Sequence, residues 1–383
     1  MIGCTRLLCG QATVAEAMRE GQRPDMLAFS TSARPVVVWN LTSRCNLRCI
    51  HCYLEAEAEP KDSELTTEEG RALIENLAEL KIPVLLFSGG EPLLRKDIFE
   101  LGRIAFEAGL RPVLSTNGTL ITGDVARQIK EANFQYVGVS LDGLKETHDR
   151  FRARRGAFRE ALTGLRNSME AGLKTGVRFT LNRHNYQELS GIIDLVRKEG
   201  IPRFCMYHLV YSGRGKGMVE DDLDNKTRRE ILDWLLQKTK ELFAAGHKLE
   251  IMTVDNHADG VYLYHMVKSE QPERQEEIYR LLQLHGGCSA GEKIANISPS
   301  GEVYACQFFQ DMPLGNVKEG PFSRIWQEDR LRSIRKMKKN LKGRCGRCRY
   351  IDICGGCRIR AKVVYGDYLA EDPACYLTEA EIN

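Results

Sequence analysis

Nowhere in the chain do about 18 apolar residues follow one another, the length that a membrane-spanning helix needs. The opening Met1-Ile-Gly-Cys-Thr-Arg-Leu-Leu-Cys-Gly10 has too short an apolar stretch for a secretory signal, so the cytoplasm is the expected compartment. A surplus of charge is also missing. With 55 basic against 52 acidic residues the formal net charge is +3, too little for a global field that would gather nucleic acid or an anionic membrane. Repeats and low-complexity tracts are absent, and what remains is a globular composition. At 383 residues and 43% hydrophobic content the chain exceeds one ordinary domain, or fills a barrel with an appendage.

Cysteine, by contrast, is plentiful. There are 13, an odd number, and ten of them fall in short groups. That pattern argues against a secreted disulfide framework, and in a reducing compartment metal binding explains it better. Exposed iron–sulfur groups are attacked by oxygen, so an anaerobic setting is expected.

The first group is Cys45, Cys49 and Cys52, at C-x3-C-x2-C spacing directly after the apolar run Val36-Val-Val-Trp39. A [4Fe–4S] cluster normally takes four thiolates. Three leave one iron open, and an open metal position is where chemistry happens. A structural zinc loop short of one ligand is the plainer alternative.

Further apolar runs at 83–87, 112–116, 136–140, 176–180 and 203–207 read as strands. Helical stretches lie between them. One is announced by Thr66 with Glu69, a capping box, ahead of Leu73, Ile74, Leu77 and Leu80. Six βα units predict a parallel α/β sheet with right-handed crossovers, short of the eight that close a full barrel. We expect a leader at residues 1–35, the barrel at 36–215, a mainly helical bridge at 216–285 and a cysteine-rich domain at 286–383.

In parallel sheets ligands gather at the C-terminal strand ends, and polar residues fall there. They are Ser88-Gly89-Gly90-Glu91-Pro92, then Ser115-Thr-Asn117, Ser140-Leu-Asp142 with Arg152 beyond it, and Arg178-Phe-Thr180. Glycines let backbone approach a ligand closely, and Glu91 can accept from an ammonium group. Each polar residue also has a simpler reading as a hydrogen-bonded turn.

Together these stretches resemble the radical SAM superfamily. The resemblance implies a partial (β/α)6 TIM barrel and a [4Fe–4S] cluster on Cys45, Cys49 and Cys52, whose open iron is chelated by S-adenosylmethionine (SAM). It implies that Gly89, Gly90 and Glu91 hold the methionine amino group. Ser115, Asn117, Ser140, Asp142 and Arg152 would contact ribose or carboxylate, and Arg178 to Thr180 would frame the adenine. His51 stands where the family usually has an aromatic residue. One electron, from a donor such as flavodoxin or ferredoxin, cleaves SAM to a 5′-deoxyadenosyl radical that removes a substrate hydrogen.

The remaining groups, Cys288, Cys306, Cys345, Cys348, Cys354, Cys357 and Cys375, resemble the SPASM extension of that superfamily, with one or two auxiliary [4Fe–4S] clusters. Carried over, Cys345, Cys348, Cys354 and Cys375 bind one cluster completely, and Cys288, Cys306 and Cys357 bind another with one iron left over. Gly355-Gly356 is one residue shorter than the family spacing before Cys357. A zinc knuckle at 345–357 is the alternative, though its pairs lie closer together than zinc ribbons space theirs.

Finer resemblance, in Phe204-Cys-Met-Tyr-His208, Tyr211-Ser-Gly-Arg214 and Asp255-Asn-His-Ala-Asp259, points to the branch that processes siroheme derivatives. The implied reaction is removal of acetate side chains from didecarboxysiroheme to give Fe-coproporphyrin; removal of propionate chains in haem d1 synthesis is the alternative. Such a substrate carries carboxylates that Arg214 and Lys216 suit. The basic run 330–344 reads first as a solvated helix face, then as a dock for an acidic electron donor. His208, His257 and His265 could ligate substrate iron or carry protons, with Tyr211 and Asp259 as companions, or could simply be packed. Two other readings stay open. A peptide maturase would want an N-terminal recognition domain, for which residues 1–35 are too short. A non-catalytic electron carrier would have no use for the glycine motif.

Overall fold

A computed structural model of the chain describes residues 1–10, 33–60 and 63–383. The strands are β1 (Ile2–Gly3), β2 (Val36–Asn40), β3 (Leu85–Ser88), β4 (Pro112–Thr116), β5 (Val137–Ser140), β6 (Thr175–Leu181), β7 (Arg203–His208), β8 (Glu250–Val254), β9 (Ile294–Ile297), β10 (Glu302–Tyr304) and β11 (Gly315–Asn316). They form one sheet in the order β1-β8-β7-β6-β5-β4-β3-β2-β9-β10-β11. The expected six strands are β2 to β7, all parallel. Among the described residues the end strands β1 and β11 do not pair, so the sheet curls without closing.

Helices cover the outside for the reason the sequence suggests. Thr66 accepts from the Glu69 amide and Glu69 from that of Thr66, so helix Thr67–Glu79 starts with its orphan donors satisfied. Its Leu73, Ile74 and Leu77 are buried, each worth roughly 1.5–3 kcal/mol. Leu162 and Leu165, and Ile192, Ile193 and Val196, do the same on later helices.

The sheet crosses the boundaries that composition suggests. The leader begins as an edge strand, with Ile2 and Gly3 antiparallel to β8, and continues as helix Cys4–Cys9; residues 11–32 lie outside the described residues. The bridge contributes β8, parallel to β7. From the cysteine-rich segment β9 runs parallel to β2, with Val36 opposite Ile294. Both cysteine territories are therefore fastened to one sheet.

Candidate active site

The C-terminal ends of the parallel strands open into a cavity of about 1120 Å³, counting the part open to solvent; its wall includes Cys45, Cys49 and Cys52. The loop that carries them is held at each turn. The Gly90 amide donates to Thr42 O at 2.8 Å, and the Glu91 amide to Arg44 O at 2.8 Å. A Cβ on Gly90 would lie 2.0 Å from Arg44 O, so this glycine is needed for backbone to meet backbone. Close approach at Gly89-Gly90 thus serves first to dock the cysteine loop, while both residues still border the cavity.

From the other side Arg214 clamps the loop, donating from Nε to Cys49 O (2.8 Å) and from Nη1 to Ala56 O (3.0 Å). Its backbone amide reaches Cys52 O at 3.0 Å. Arg214 borders the cavity, but these bonds make it a strap on the loop rather than a free cation for substrate. Gln310 adds a bond from Nε2 to Tyr53 O at 2.9 Å.

Donors point at the sulfurs. The Leu47 amide lies 3.4 Å from Cys45 Sγ, and Arg152 Nη1 lies 3.3 Å from Cys49 Sγ. Burial pushes the Cys45 thiol up to about 12, so a metal must take over from its proton. Three thiols on one cavity wall, met by N–H donors and a guanidinium, are a donor set that fits an iron–sulfur cluster.

The other expected contacts divide into those that face the cavity and those that stand behind it. Ser115, Asn117, Ser140 and Arg152 line it, as do Arg178 and Thr180. Ser115 accepts from Arg178, whose guanidinium sits 4.8 Å from the Tyr207 ring centroid. Asn117 donates from Nδ2 to Asn46 Oδ1 at 2.8 Å. Glu91 is fully buried, and its carboxyl accepts from Thr116 Oγ1 (2.8 Å), the Asn117 amide (2.8 Å) and the Leu93 amide (3.1 Å). Burial pushes its pKa up to about 7. Glu91 therefore braces the turn, and of the three residues only Gly89 and Gly90 border the cavity. Asp142 is likewise behind the wall: it accepts from Arg152 and, at 2.7 Å, from the Thr180 amide. Burial opposes its ionisation, but Arg152 holds its pKa below the usual carboxylate value.

His208 lines the cavity, and its Nε2 lies 2.8 Å from Asp259 Oδ2. The second Asp259 oxygen accepts from Tyr376 Oη at 2.7 Å. Burial works against Asp259 carrying charge, yet His208 and these bonds bring its pKa down. The ionised carboxylate can only accept, so His208 Nε2 carries the hydrogen between them. Asp259 thus orients His208 and does not itself line the cavity. Tyr211 is placed elsewhere: its hydroxyl donates to Asp222 Oδ2 at 2.7 Å, in a packed cluster with Phe151 and Met218. His257 lies beside His285, with ring centroids 5.6 Å apart and the rings tilted, and His265 Nε2 donates to Glu381 O; neither lines the cavity. Lys216 pairs at the surface with Asp311. In the basic run, Leu331 and Ile334 are buried while Arg330, Arg332 and Lys336 are exposed, as a solvated helix face requires.

Sequence reasoning overlooked Asp255, Gln307 and Phe308, which also line the cavity. Asp255 sits one residue beyond β8 with φ 68°, and Gln307 follows Cys306. Position at a strand end was the available signal for Asp255, but β8 itself was hidden in a charged stretch.

The distal cysteines influence one another's thiols. Burial pushes the Cys306 thiol up, and Cys288 and Cys357 beside it add to the rise. Cys354 is raised by burial and then by Cys375 and Cys345, and Cys348 by burial with Cys345 also adding. Donors serve these sulfurs too: the Tyr350 amide reaches Cys348 Sγ at 3.4 Å, and the Asp372 amide Cys345 Sγ at 3.4 Å. Asp372 also accepts from the Cys357 amide at 2.6 Å and forms a fully buried pair with Arg360 at 2.8 Å. Arg360 in turn donates to Leu209 O (3.1 Å) and Asp255 O (2.9 Å) at the barrel mouth. One ion pair thereby joins the Cys345 and Cys357 positions to the cavity wall.

A parallel barrel with three thiols and a Gly-Gly-Glu turn at its mouth, followed by clustered cysteines, defines a class of radical enzyme. The chain belongs to the radical SAM superfamily: residues 39–196 match that family, and residues 288–349 match the SPASM iron-sulfur cluster-binding domain. More particularly, it is 48% identical over 395 residues to the Fe-coproporphyrin III synthase of Methanosarcina barkeri, covering 100% of this chain and 99% of that protein. The pre-heme d1 synthase of Dinoroseobacter shibae is 41% identical over 363 residues, 94% of this chain and 90% of that one. Among solved structures, native anSMEcpe with bound AdoMet superposes with a TM-score of 0.70 at 19% identity, covering 89% and 93% of the two chains, a likeness of fold. The chain is thus a radical SAM enzyme with a SPASM domain that binds auxiliary iron–sulfur clusters. No helix among the described residues is long and apolar enough to cross a membrane.

Proposed function

We propose that this chain removes the acetate side chains of didecarboxysiroheme to give Fe-coproporphyrin, in the cytoplasm and with a low-potential electron donor. The observation that carries the reading is the 48% identity, over the whole length, to an Fe-coproporphyrin III synthase. When bound, the [4Fe–4S] cluster and SAM supply a 5′-deoxyadenosyl radical. The chain's own residues then have positioning and shielding to do. Cys45, Cys49 and Cys52 hold the cluster, and Arg152 steadies the Cys49 sulfur. The backbone at Gly89 and Gly90, with Ser115, Asn117 and Ser140, binds SAM. Arg178 offers a fixed cation to a carboxylate of SAM or substrate. His208, turned by Asp259, carries a proton to or from the substrate at Nδ1. Two auxiliary clusters are assigned, one to Cys345, Cys348, Cys354 and Cys375, the other to Cys288, Cys306 and Cys357.

The 41% identity to a pre-heme d1 synthase supports a second reading, removal of propionate side chains. One experiment separates them. The anaerobically reconstituted, reduced protein is given SAM and didecarboxysiroheme, and 5′-deoxyadenosine and tetrapyrrole masses are followed. Loss of two acetate side chains is expected. Loss from the propionates would move the chain to the second reading, and an unaltered tetrapyrrole alongside deoxyadenosine would remove both.

A further inference from the structure

An electron must reach the buried thiols from outside while the cavity is filled, and one face of the protein lies over them. Cys49 is 7% exposed, yet its neighbours Arg48 and Ile50 both stand at the surface. The Ile50 amide donates to Phe151 O at 3.1 Å, which lays the loop against the C-terminal end of helix Lys145–Phe151. Ala157, the first residue of helix Ala157–Glu170, packs with Cys45, Leu47 and Cys49. A groove beside it is lined by Lys145, Arg155, Phe158 and Arg159.

The chemistry of this face is uneven in one direction. Ile50 at 38% and Leu144 at 37% are two of the few large apolar side chains exposed among the described residues. Along 48–50 and 144–159 the cations Arg48, Lys145, Arg150, Arg155 and Arg159 are exposed, against a single exposed carboxylate, Glu146. Neighbouring cations are neutralised, Arg154 by Glu160, Arg152 by Asp142 and Arg166 by Glu199. The five exposed ones have no ion pair among the described residues. Asp149, the carboxylate of the groove, is engaged by the Gly156 and Phe158 amides at 2.6 and 2.8 Å. The chain as a whole is nearly neutral, so this local excess of cations is not a by-product of composition.

We propose that the face built by Arg48, Ile50, Lys145, Arg150, Arg155 and Arg159 docks a small acidic electron-carrier protein of the flavodoxin kind, which reduces the cluster held by Cys45, Cys49 and Cys52. This rests on the chain's radical SAM membership. A small apolar centre excludes water while the surrounding cations steer an acidic partner, a division that favours fast, reversible encounter. One electron leaves the flavin hydroquinone, which becomes the semiquinone, and enters the iron–sulfur group. The basic helix at 330–336 is not the dock, because it lies on the distal cysteine segment and has no such apolar centre.

The test uses the reconstituted full-length protein, with oxidised flavodoxin titrated by calorimetry and flavodoxin hydroquinone mixed in stopped flow. Binding that weakens with salt is expected for the unaltered protein. The variant R48E/R155E/R159E is expected to bind more weakly and to be reduced about 10- to 100-fold more slowly at low salt. Its reduction by dithionite, and dithionite-driven SAM cleavage, should be unchanged. R330E/K336E/K339E should behave as the unaltered protein. Equal rates in the first variant, or an equal loss in the second, would overturn the proposal. Should charge reversal disturb cluster loading, R48Q/R155Q/R159Q takes its place, and a rate equal to that of the unaltered protein would again overturn it. Failure of dithionite to drive SAM cleavage in the unaltered protein would instead count against the enzymatic reading.

Discussion

Arg152 bridges Cys49 and Asp142: Nη1 lies 3.3 Å from the sulfur while Nη2 pairs with the carboxylate, and both charged side chains are buried. Replacing Arg152 by Met should destabilise the cofactor-free protein by about 3–5 kcal/mol, because Asp142 is left as an uncompensated buried charge. The double variant R152M/D142N should recover much of that loss. Denaturant unfolding of the singles and the double measures the coupling, and simple additivity would mean that the pair is not the source.

Glu91 sets a dependence on pH. Its folded pKa of about 7 lies above the usual 4.5, so the folded state holds the proton more tightly. The corresponding stability is fully present below about pH 4.5, falls as pH rises towards 7, and is flat beyond. Cofactor-free protein should therefore be easier to unfold at pH 8 than at pH 5, and E91Q should reduce that difference. An unchanged slope in E91Q would assign it to other groups.

Gly90→Ala should cost cluster loading before it costs fold. The added methyl collides with Arg44 O at 2.0 Å and pushes the turn away from the cysteine loop. We expect iron at the Cys45 site to fall by more than half while the sheet's circular dichroism is kept. Full loading would show that the loop gives way freely.

Substituting cysteines by group should remove iron by group. Cys45, Cys49 and Cys52 to Ala should abolish 5′-deoxyadenosine and leave auxiliary iron in place. Cys345, Cys348, Cys354 and Cys375 to Ala should remove about four irons, the content of one cluster. Iron analysis with electron paramagnetic resonance of the reduced protein reads both.

Asp259→Asn keeps the shape but no longer fixes the His208 tautomer. Turnover should drop by about 100-fold, within the range of lost proton transfer, while SAM binding stays the same. An equal loss of SAM affinity would make the residue merely structural.

Much of this was legible in the sequence. Five of the six expected apolar runs coincide with strands to within one residue, and the sixth, 83–87, starts two residues before β3, because buried parallel strands are apolar almost throughout. β8 was not legible: it opens with Glu250, whose burial is permitted by Arg203 from the neighbouring strand at 2.8 Å, a partner 47 residues away. The site was legible as residue types at strand ends but not as directions. Glu91 and Asp142 read as ligand contacts because carboxylates at strand ends often are. Their turn away from the cavity depends on Thr116 and Arg152, which spacing cannot show. Arg214 looked like a substrate cation for the same reason, since carbonyls of a distant loop carry no signature in sequence.

The parallel pairing of β9 with β2 has a consequence in time. Asn296 bonds back to Val38 across 258 residues, so the strand that leads into Cys45 gains its second neighbour only after most of the chain has been made. Contacts so distant along the chain form late and slowly. Until then the thiols of Cys45, Cys49 and Cys52 sit on the rim of an unfinished sheet, open to stray metal and oxidant. Assembly of iron and sulfide should therefore follow synthesis, and C-terminal truncation should strip the radical-generating cluster as well as the auxiliary ones.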